Sequence, residues 1–591
     1  MNTDQANLQA AQLIIEELHR YGVNYFCICP GSRSTPLAVA LAQETRVAQV
    51  VHHDERGAAY HALGYTRATG QPTVVITTSG TAAANLFPAV VEASLDHLPL
   101  VVITADRPPE LQDCGANQTI NQTRLFGDYV RAFVDPGCPD DIDDLASVVT
   151  AVDKALNACC HGTAKPGPVH INCPYRKPLV PEPSETKPLD MVSLLVHPSL
   201  SDWAESEQPL NRSTAIDRTM PGEVARELAG IVGKTKSGLL MIGRLENDSD
   251  RQEALNLSQT LGWPTVTDIT SGLSLYNSQY LAHHHDLPLA SEKFCDTHPV
   301  DTVLHIGGQF VSKHLLDFLG RSKPANYIHN STDSKLFDPA HVVTRTHSYD
   351  NASFCHELAL KIKASTGMAQ TDDWLAGTKK INTILDDTID NSDAFTEPVI
   401  ARMISQAQSA ATALFAASSM PIRDLDMFAA HISGIVPVGS NRGVSGIDGT
   451  LASAAGYAIG LGQLTTLLIG DLAFLHDLSS LPLITELPAS LVIVVINNNG
   501  GRIFEQLPIA EHNKIIEPYF VAPHDLTFEK IAEAFGIDYR QVTTSDQFQS
   551  VYTKAQTAER PIIIEAIVDP NRSREHRQTI INTVRATIDK L

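Results

Sequence analysis

Apolar and polar positions alternate in blocks along this chain, and the blocks predict its elements. Residues 5–21 carry Leu8, Ala11, Ile15 and Leu18 on one stripe, which reads as an amphipathic helix. Short apolar runs follow at Val23 to Cys29, Val47 to His52, Pro72 to Thr78, Leu98 to Thr104 and Gly167 to Asn172. The first four each end in a polar, glycine- or proline-bearing turn that leads into a helical pattern. That alternation predicts a doubly wound parallel sheet. The pattern recurs in the middle of the chain at Ser237 to Ile242 and Thr302 to Ile306. It returns in the last third at Ala413 to Ala417, Ile435 to Val438, Leu467 to Ile469, Leu491 to Ile496 and Ile562 to Ala566. Prolines 174, 178, 181, 183 and 188 mark an extended linker, and a polar stretch over 366–394 marks a second boundary. The expected fold class is therefore α/β, with three consecutive doubly wound domains built on parallel sheets. They are placed at 1–185, 195–375 and 390–591, and any internal repeat is structural rather than visible in the sequence.

One stretch, Thr465 to Gly501, concentrates candidate chemistry. An apolar run stops at Gly470-Asp471, a segment with Leu472, Leu475 and Leu478 at helical spacing follows, and a second run ends in Asn497-Asn498-Asn499-Gly500-Gly501. A right-handed crossover puts both strands in one sheet and brings Asp471 and the asparagines to its carboxyl edge. A carboxylate, an amide oxygen and a backbone carbonyl are hard ligands, suited to magnesium or calcium and poorly suited to zinc. Magnesium completes its shell with water and phosphate oxygens, so these residues point to a magnesium-diphosphate site. The interval from Asp471 to Asn498 is 498 − 471 = 27 residues, and to Gly500 it is 29. An ordinary βαβ turn with a polar rim fits the same residues.

Composition narrows the partners. The chain has 591 residues, 43% hydrophobic and 19% charged, with a formal net charge of −23. That charge argues against general nucleic-acid binding and against anionic membranes, so an anionic substrate needs a local cluster of Arg and Lys. No apolar run approaches the ~20 residues of a membrane helix. The first residues lack a signal-peptide pattern, and the nine cysteines include no C-x-x-C spacing, which together suggest a cytoplasmic protein with reduced thiols. The triplet His283-His284-His285 cannot face one ion and reads as a solvated loop. Two turns of the first domain stand out. In Pro30-Gly31-Ser32-Arg33-Ser34-Thr35-Pro36 the hydroxyls are expected to cap the next helix, with Arg33 a candidate ligand for carboxylate or phosphate. In Asp54-Glu55-Arg56-Gly57 a glutamate opens a helix rich in glycine and alanine, where it is either functional or a simple partner of the helix dipole.

Glycine-aspartate followed by an asparagine pair at this interval resembles the metal-diphosphate motif of thiamine-diphosphate enzymes. The decarboxylase class of that family has three α/β domains, and a glutamate at a helix start in the first domain contacts the cofactor's pyrimidine. Glu55 matches it. Long strings deepen the resemblance across the whole chain: PGSRSTPL (30–37), DERGAAYHALG (54–64), TSGTAAANL (78–86), TADRPPEL (104–111), GANQTINQ (115–122), SNRGVSGIDG (440–449), GDLAFLHDL (470–478) and NNNGGRIFEQLP (497–508). They are similar to the menaquinone-pathway members, which also carry leucine at the position of Leu472.

The resemblance implies thiamine diphosphate and Mg2+ (or Mn2+) as cofactors, with 2-oxoglutarate and isochorismate as substrates of a decarboxylative carboligation. Asp471, Asn498 and Gly500 would hold the metal, and Glu55, Ile447, Leu472 and Ile503 would contact the cofactor, Ile447 as the prop for its bent shape. Glu55 would be a buried carboxyl of raised pKa that shares a proton with the pyrimidine. Arg33 and Gln118 join Glu55 as catalytic candidates. Ser32, Arg33, Arg107, Asn117, Gln118, Lys313, Ser419, Arg423, Arg442, Phe504 and Leu507 would form the substrate site, the arginines because two dicarboxylates call for bidentate partners. The family pairs Lys313 with an arginine where this chain has His314. A homodimer or dimer of dimers is implied, with the cofactor between chains and the small-residue helix after Glu55 at the interface. Alternatives are an acetolactate-synthase-like enzyme or other 2-oxoacid decarboxylase, which lacks the arginine set, and a non-catalytic α/β protein, which has no reason to retain Glu55, Asp471 and Asn498 together. A Rossmann dehydrogenase is disfavoured because no G-x-G-x-x-G follows the first strand.

Overall fold

The computed structural model describes residues 2–141, 145–161, 165–211, 213, 216–332, 337–363, 369–485, 487 and 491–590. It contains three sheets, and every described strand pair is parallel. Strands of the first are β1 (Tyr25–Ile28), β2 (Ala48–Val51), β3 (Thr73–Thr77), β4 (Leu100–Asp106), β5 (Phe133–Val134) and β6 (Val169–Pro174). The second holds β7 (Gly238–Ile242), β8 (Thr265–Thr267), β9 (Thr302–Ile306), β10 (Asn326–Asn330) and β11 (Arg345–His347). The third holds β12 (Thr412–Ala416), β13 (Val438–Gly439), β14 (Leu464–Gly470), β15 (Leu491–Asn497), β16 (Asp538–Val542) and β17 (Ile562–Ile567).

The first sheet runs β2-β1-β3-β4-β6-β5 and the third β13-β12-β14-β15-β17-β16, the same winding, while the second runs β11-β10-β9-β7-β8. The α/β reading with three parallel sheets therefore holds. In each sheet the winding direction reverses beside its first strand, which leaves the turns after that strand and its inner neighbour at the usual ligand edge. In the first sheet those turns follow β1 and β3. In the third they follow β12 and β14.

By contacts the chain forms two compact units. One comprises Met1–Ile216, Asn441–Gly462 and His476–Leu487, the other Asp217–Ser440, Gln463–Leu475 and Pro488–Leu591. In the first unit the period-2 pattern of β1 sends Phe26 and Ile28 to a core with Ile14, Leu18 and Val152, and Tyr25 and Cys27 to a core with Ala58, Ala62 and Leu63. Both faces are covered, as a continuous apolar run requires. In the second unit Leu239 and Met241 of β7 pack with Phe318, Trp374 and Val584, whereas Leu240 and Ile242 pack with Leu257, Trp263 and Phe354. The third sheet buries Leu414, Leu468, Val494 and Ile564 in one further core.

Several expectations are corrected. The run Ile435 to Val438 contributes only the two-residue β13, and β5, β8, β10, β11 and β16 carry no sequence signal of the kind used above. The histidine triplet is buried (7%, 4% and 3% exposed) instead of solvated. His284 bonds the Met427 carbonyl and Asn382, and His283 lies against His431 with ring centres 3.7 Å apart. Of the polar stretch 366–394, residues 366–368 lie outside the described residues, and the rest carries the helix Ala369–Leu385, whose Trp374, Ile381 and Leu385 are buried. The glycines and alanines of the Glu55–Thr69 helix pack within the chain, against the Thr450–Leu461 helix of the same unit. A Cβ on Gly64 would lie 2.0 Å from the Ser453 carbonyl oxygen, and one on Gly456 2.0 Å from that of His61. The small residues thus have a close neighbour within the chain itself. No described helix is long and apolar enough to cross a membrane.

Candidate active site

In the first unit Glu55 is the first residue of its helix. The Asp54 carboxylate caps it by accepting from the Arg56 N–H at 3.0 Å, and Asn85 Nδ2 donates to Glu55 Oε2 at 3.3 Å. Glu55 is half-buried in this chain, not buried as expected. The turn after β1 is tied by its own hydroxyls: Ser34 Oγ donates to the Gly31 carbonyl at 3.0 Å and Thr35 Oγ1 to that of Ser32 at 2.6 Å. No side chain caps the helix that follows, which corrects the expected role of these residues. Arg33 is buried, 6% exposed, and donates to the Tyr175 carbonyl at 2.7 Å. Burial and the nearby Arg107 cation hold its pKa below the usual arginine value, with Asp106 opposing.

Arg107, Asn117 and Gln118 converge on the turn after β3. Arg107 bonds Ser79 Oγ and the Asn117 carbonyl (2.8 Å), and Gln118 Nε2 donates to the Ser79 carbonyl at 3.1 Å. Gln118 adopts φ of +57°, strained for a side-chain-bearing residue. Ser32, Asn117 and Gln118 are exposed. Sequence reasoning missed the support beneath them. Gln122 is 1% exposed; its Oε1 accepts from the Gly80 N–H at 2.9 Å, and its Nε2 reaches Asn172, which bonds Asp106 in turn. Also missed was Glu92, whose two carboxylate oxygens accept from the N–H groups of Gly443 and Val444 at 2.8 Å each. Glu92 thereby shapes the turn carrying Arg442, which is half-buried, and Ile447, which is 36% exposed.

The second unit brings the proposed metal ligands together as the strand–helix–strand reading requires. β14 and β15 pair in parallel, Gly470 opposite Ile496. Asp471 Oδ2 accepts from the Gly500 N–H at 2.8 Å and lies 3.2 Å from His524 Nε2. Burial pushes the Asp471 carboxyl up, and those two donors oppose the shift. Asn498 Nδ2 donates to Glu397 at 2.6 Å, while its buried Oδ1 has no partner among the described residues. Gly500 has φ of +124°, and a Cβ there would sit 2.3 Å from the Val521 carbonyl. Asn497 anchors to Glu565 at 2.6 Å, and Asn499 accepts from the N–H groups of His524 and Asp525, so each asparagine has a separate task. Arg502 Nε and Nη2 donate to the Asn498 and Asn499 carbonyls, at 3.2 and 3.3 Å. The Gly500 N–H ties the turn of Asn498 to Asp471, and an unpartnered buried amide oxygen and a buried carboxylate are the hard donors that suit magnesium or manganese.

Leu472, Ile503 and Phe504 are half-buried, Leu507 is 48% exposed, and Phe504 packs edge-on against Phe520. Ser419, at φ of +72°, opens the Met420–Phe428 helix and accepts from Arg423 Nη1 at 2.5 Å through its carbonyl. Lys313 is exposed at the start of the Lys313–Ser322 helix. Its neighbour His314 is paired with Asp286 at 2.8 Å, and that hydrogen bond raises the imidazole pKa.

Three family models match in order. They describe the N-terminal TPP-binding domain of thiamine pyrophosphate enzymes over residues 8–125, their middle domain over 196–416, and their C-terminal TPP-binding domain over 425–566. The chain is 42% identical to the 2-succinyl-5-enolpyruvyl-6-hydroxy-3-cyclohexene-1-carboxylate synthase of Rubrobacter xylanophilus, with 96% of each chain covered. It is 40% identical to the synthase of the same name from Salinibacter ruber, over 98% of this chain and 97% of that one. For Pelodictyon phaeoclathratiforme the identity is 38%, over 96% and 93%. Likeness at this level over the full length settles membership: the chain belongs to the 2-succinyl-5-enolpyruvyl-6-hydroxy-3-cyclohexene-1-carboxylate synthase family of thiamine pyrophosphate enzymes.

Proposed function

We infer that this chain decarboxylates 2-oxoglutarate and joins the resulting succinyl unit to isochorismate, giving 2-succinyl-5-enolpyruvyl-6-hydroxy-3-cyclohexene-1-carboxylate and carbon dioxide in menaquinone biosynthesis. The observation that carries this is full-length identity of 38–42% to relatives that all bear this synthase's name. When bound, thiamine diphosphate supplies the carbon nucleophile and the electron sink that decarboxylation of a 2-oxoacid needs. Glu55 would hydrogen-bond the pyrimidine nitrogen, from the mouth of a helix whose Asp54 cap fixes its position. Asp471, Asn498 and the Gly500 carbonyl would hold Mg2+, or Mn2+, which would offset the charge of the diphosphate; the orphaned Oδ1 of Asn498 supports that role. Leu472, Ile447 and Ile503 form apolar contacts with the cofactor.

Arg33, Arg107, Arg423 and Arg442 bind the four carboxylates of the two substrates, two on each, with Lys313 a fifth cation. Ser32, Asn117, Gln118 and Ser419 add neutral hydrogen bonds that orient the keto acid and the ring. Phe504 and Leu507 keep water from the reacting carbon. The division into 1–185, 195–375 and 390–591, a cytoplasmic location, and assembly as a homodimer or dimer of dimers with Glu55 and Asp471 from different copies belong to the same reading. The test is ultraviolet detection of isochorismate loss with 2-oxoglutarate, thiamine diphosphate and Mg2+, beside Glu55→Gln. Loss that needs both 2-oxoglutarate and thiamine diphosphate, and that collapses in the variant, is expected. Turnover of pyruvate without isochorismate would overturn the substrate assignment.

A further inference from the structure

An asparagine side chain has two ends of nearly equal size, and only the oxygen end ligates a cation. Something must hold Asn498 the right way round. Its Nδ2 donates to Glu397 Oε1 at 2.6 Å, across 101 residues of sequence. Glu397 is 5% exposed and opens the Glu397–Gln406 helix. Its other oxygen accepts from Arg577 Nη2 at 2.8 Å, and the same nitrogen donates to Asp424 Oδ1 at 2.6 Å. Arg577, 7% exposed, comes from the C-terminal Pro570–Ile588 helix, and Asp424, 2% exposed, from the Met420–Phe428 helix. Three helices thus fix one carboxylate.

We propose that Glu397, held in place by Arg577 and Asp424, is a positioning residue that fixes the Asn498 amide with Oδ1 toward the divalent cation. A carboxylate only accepts hydrogen bonds, so it admits the NH2 end of Asn498 and repels the oxygen end. That leaves Oδ1 as the orphaned atom, which is the arrangement observed. The inference rests on the reading of Asp471, Asn498 and Gly500 as metal ligands. It extends that reading to a group that does not touch the metal, of the kind that orients ligands in other metal sites.

A shape-preserving exchange tests it. In Glu397→Gln the new side chain accepts from Arg577 with its amide oxygen and must offer its NH2 to Asn498. The NH2 either engages Oδ1 or turns the Asn498 amide over, and the metal loses a ligand. In the double variant Glu397→Gln with Asn498→Asp, the same NH2 donates to one oxygen of the new carboxylate, and the other oxygen is free to ligate. The readout is Mn2+ binding to the full chain in the presence of thiamine diphosphate, with free Mn2+ followed by electron paramagnetic resonance.

Glu397→Gln is expected to weaken Mn2+ binding by about 10–100-fold, and the double variant to recover to within about fivefold of wild type. A merely structural role for Glu397 predicts that Asn498→Asp changes affinity by the same factor in the wild-type and Glu397→Gln backgrounds. The positioning role predicts a gain only in the latter, because in wild type the new carboxylate faces that of Glu397. Wild-type affinity in Glu397→Gln, or a double variant as weak as the single one, overturns the proposal. Asn498→Ala is the separate check on the ligand reading. If it binds Mn2+ like wild type, the metal assignment itself has failed. If it alone weakens binding while Glu397→Gln does not, only the positioning role has failed. Should Glu397→Gln fold poorly, Glu397→Asp draws the carboxylate back by one carbon and is expected to lose affinity likewise; unchanged affinity there counts against the proposal.

Discussion

The contact between the Glu55–Thr69 and Thr450–Leu461 helices makes a sharp prediction for Gly64→Ala. In an isolated helix this change stabilises by about 1 kcal/mol, because alanine restricts the unfolded chain and favours helix. Here the added Cβ would stand 2.0 Å from the Ser453 carbonyl oxygen, whereas real Cβ atoms essentially never come within 3.0 Å of another heavy atom, so the helices must part by 3.0 − 2.0 = 1.0 Å or more. The obstacle is backbone in mid-helix and has no rotamer to change. Overpacking of this kind costs about 1–3 kcal/mol, and a backbone obstacle belongs at the upper end, which leaves a net loss of about 2 kcal/mol after the propensity gain. Parting the helices also stretches the Ser453 Oγ bond to the Tyr60 carbonyl, 3.2 Å at present.

A chain with three sheets has no single unfolding free energy, so the measurement is hydrogen exchange resolved to residues 55–69 and 450–461. The control is Gly230→Ala in the Gly222–Val232 helix, where nothing lies within 4 Å of the new Cβ. That substitution is expected to raise protection locally by up to about 1 kcal/mol, while Gly64→Ala lowers it in both helices. Protection in Gly64→Ala equal to or above wild type would refute the close approach. Because Glu55 opens the same helix, turnover is expected to fall with protection.

Two further outcomes follow from local geometry. Gly500→Ala forces an L-residue to φ of +124° with its Cβ 2.3 Å from the Val521 carbonyl; thiamine-diphosphate binding, followed by calorimetry, should weaken at least tenfold, and unchanged affinity would exclude this turn from the cofactor site. His61 is fully buried against Tyr25 Oη (2.8 Å), and burial lowers its pKa from 6.5 to about 4. The unfolded chain therefore takes up a proton below pH 6.5 that the folded chain refuses until about pH 4, so this residue's contribution is intact above pH 6.5 and declines as the pH falls toward 4. Relative to His61→Gln, wild type should lose about 2 kcal/mol between pH 7 and 5, measured as the difference in local exchange protection; a difference that stays constant with pH contradicts the shift.

What the sequence determined was whatever local patterning controls. Runs such as Leu491 to Ile496 are apolar at every position, which only a strand covered on both faces accepts, and the sheets follow from repeating that unit. The spacing of Asp471, Asn498 and Gly500 was legible because one crossover unit joins them, and Glu55 because a helix start is a local signal. Tertiary structure decided the rest. The edge strand β16, Asp538-Tyr539-Arg540-Gln541-Val542, buries only Val542, and so has no apolar pattern to betray it. The histidine triplet looked solvated because its partners, Asn382 and Met427, arrive from 98 and 143 residues away. Glu92, Gln122 and Glu397 were invisible for the same reason. A buried carboxylate or amide is recognised by what it bonds, and here those partners lie 351, 42 and 101 residues distant. The small residues after Glu55 announced a close neighbour in the sequence, but only the fold identified it as a helix of the same chain, because a glycine records that space is tight and not what fills it.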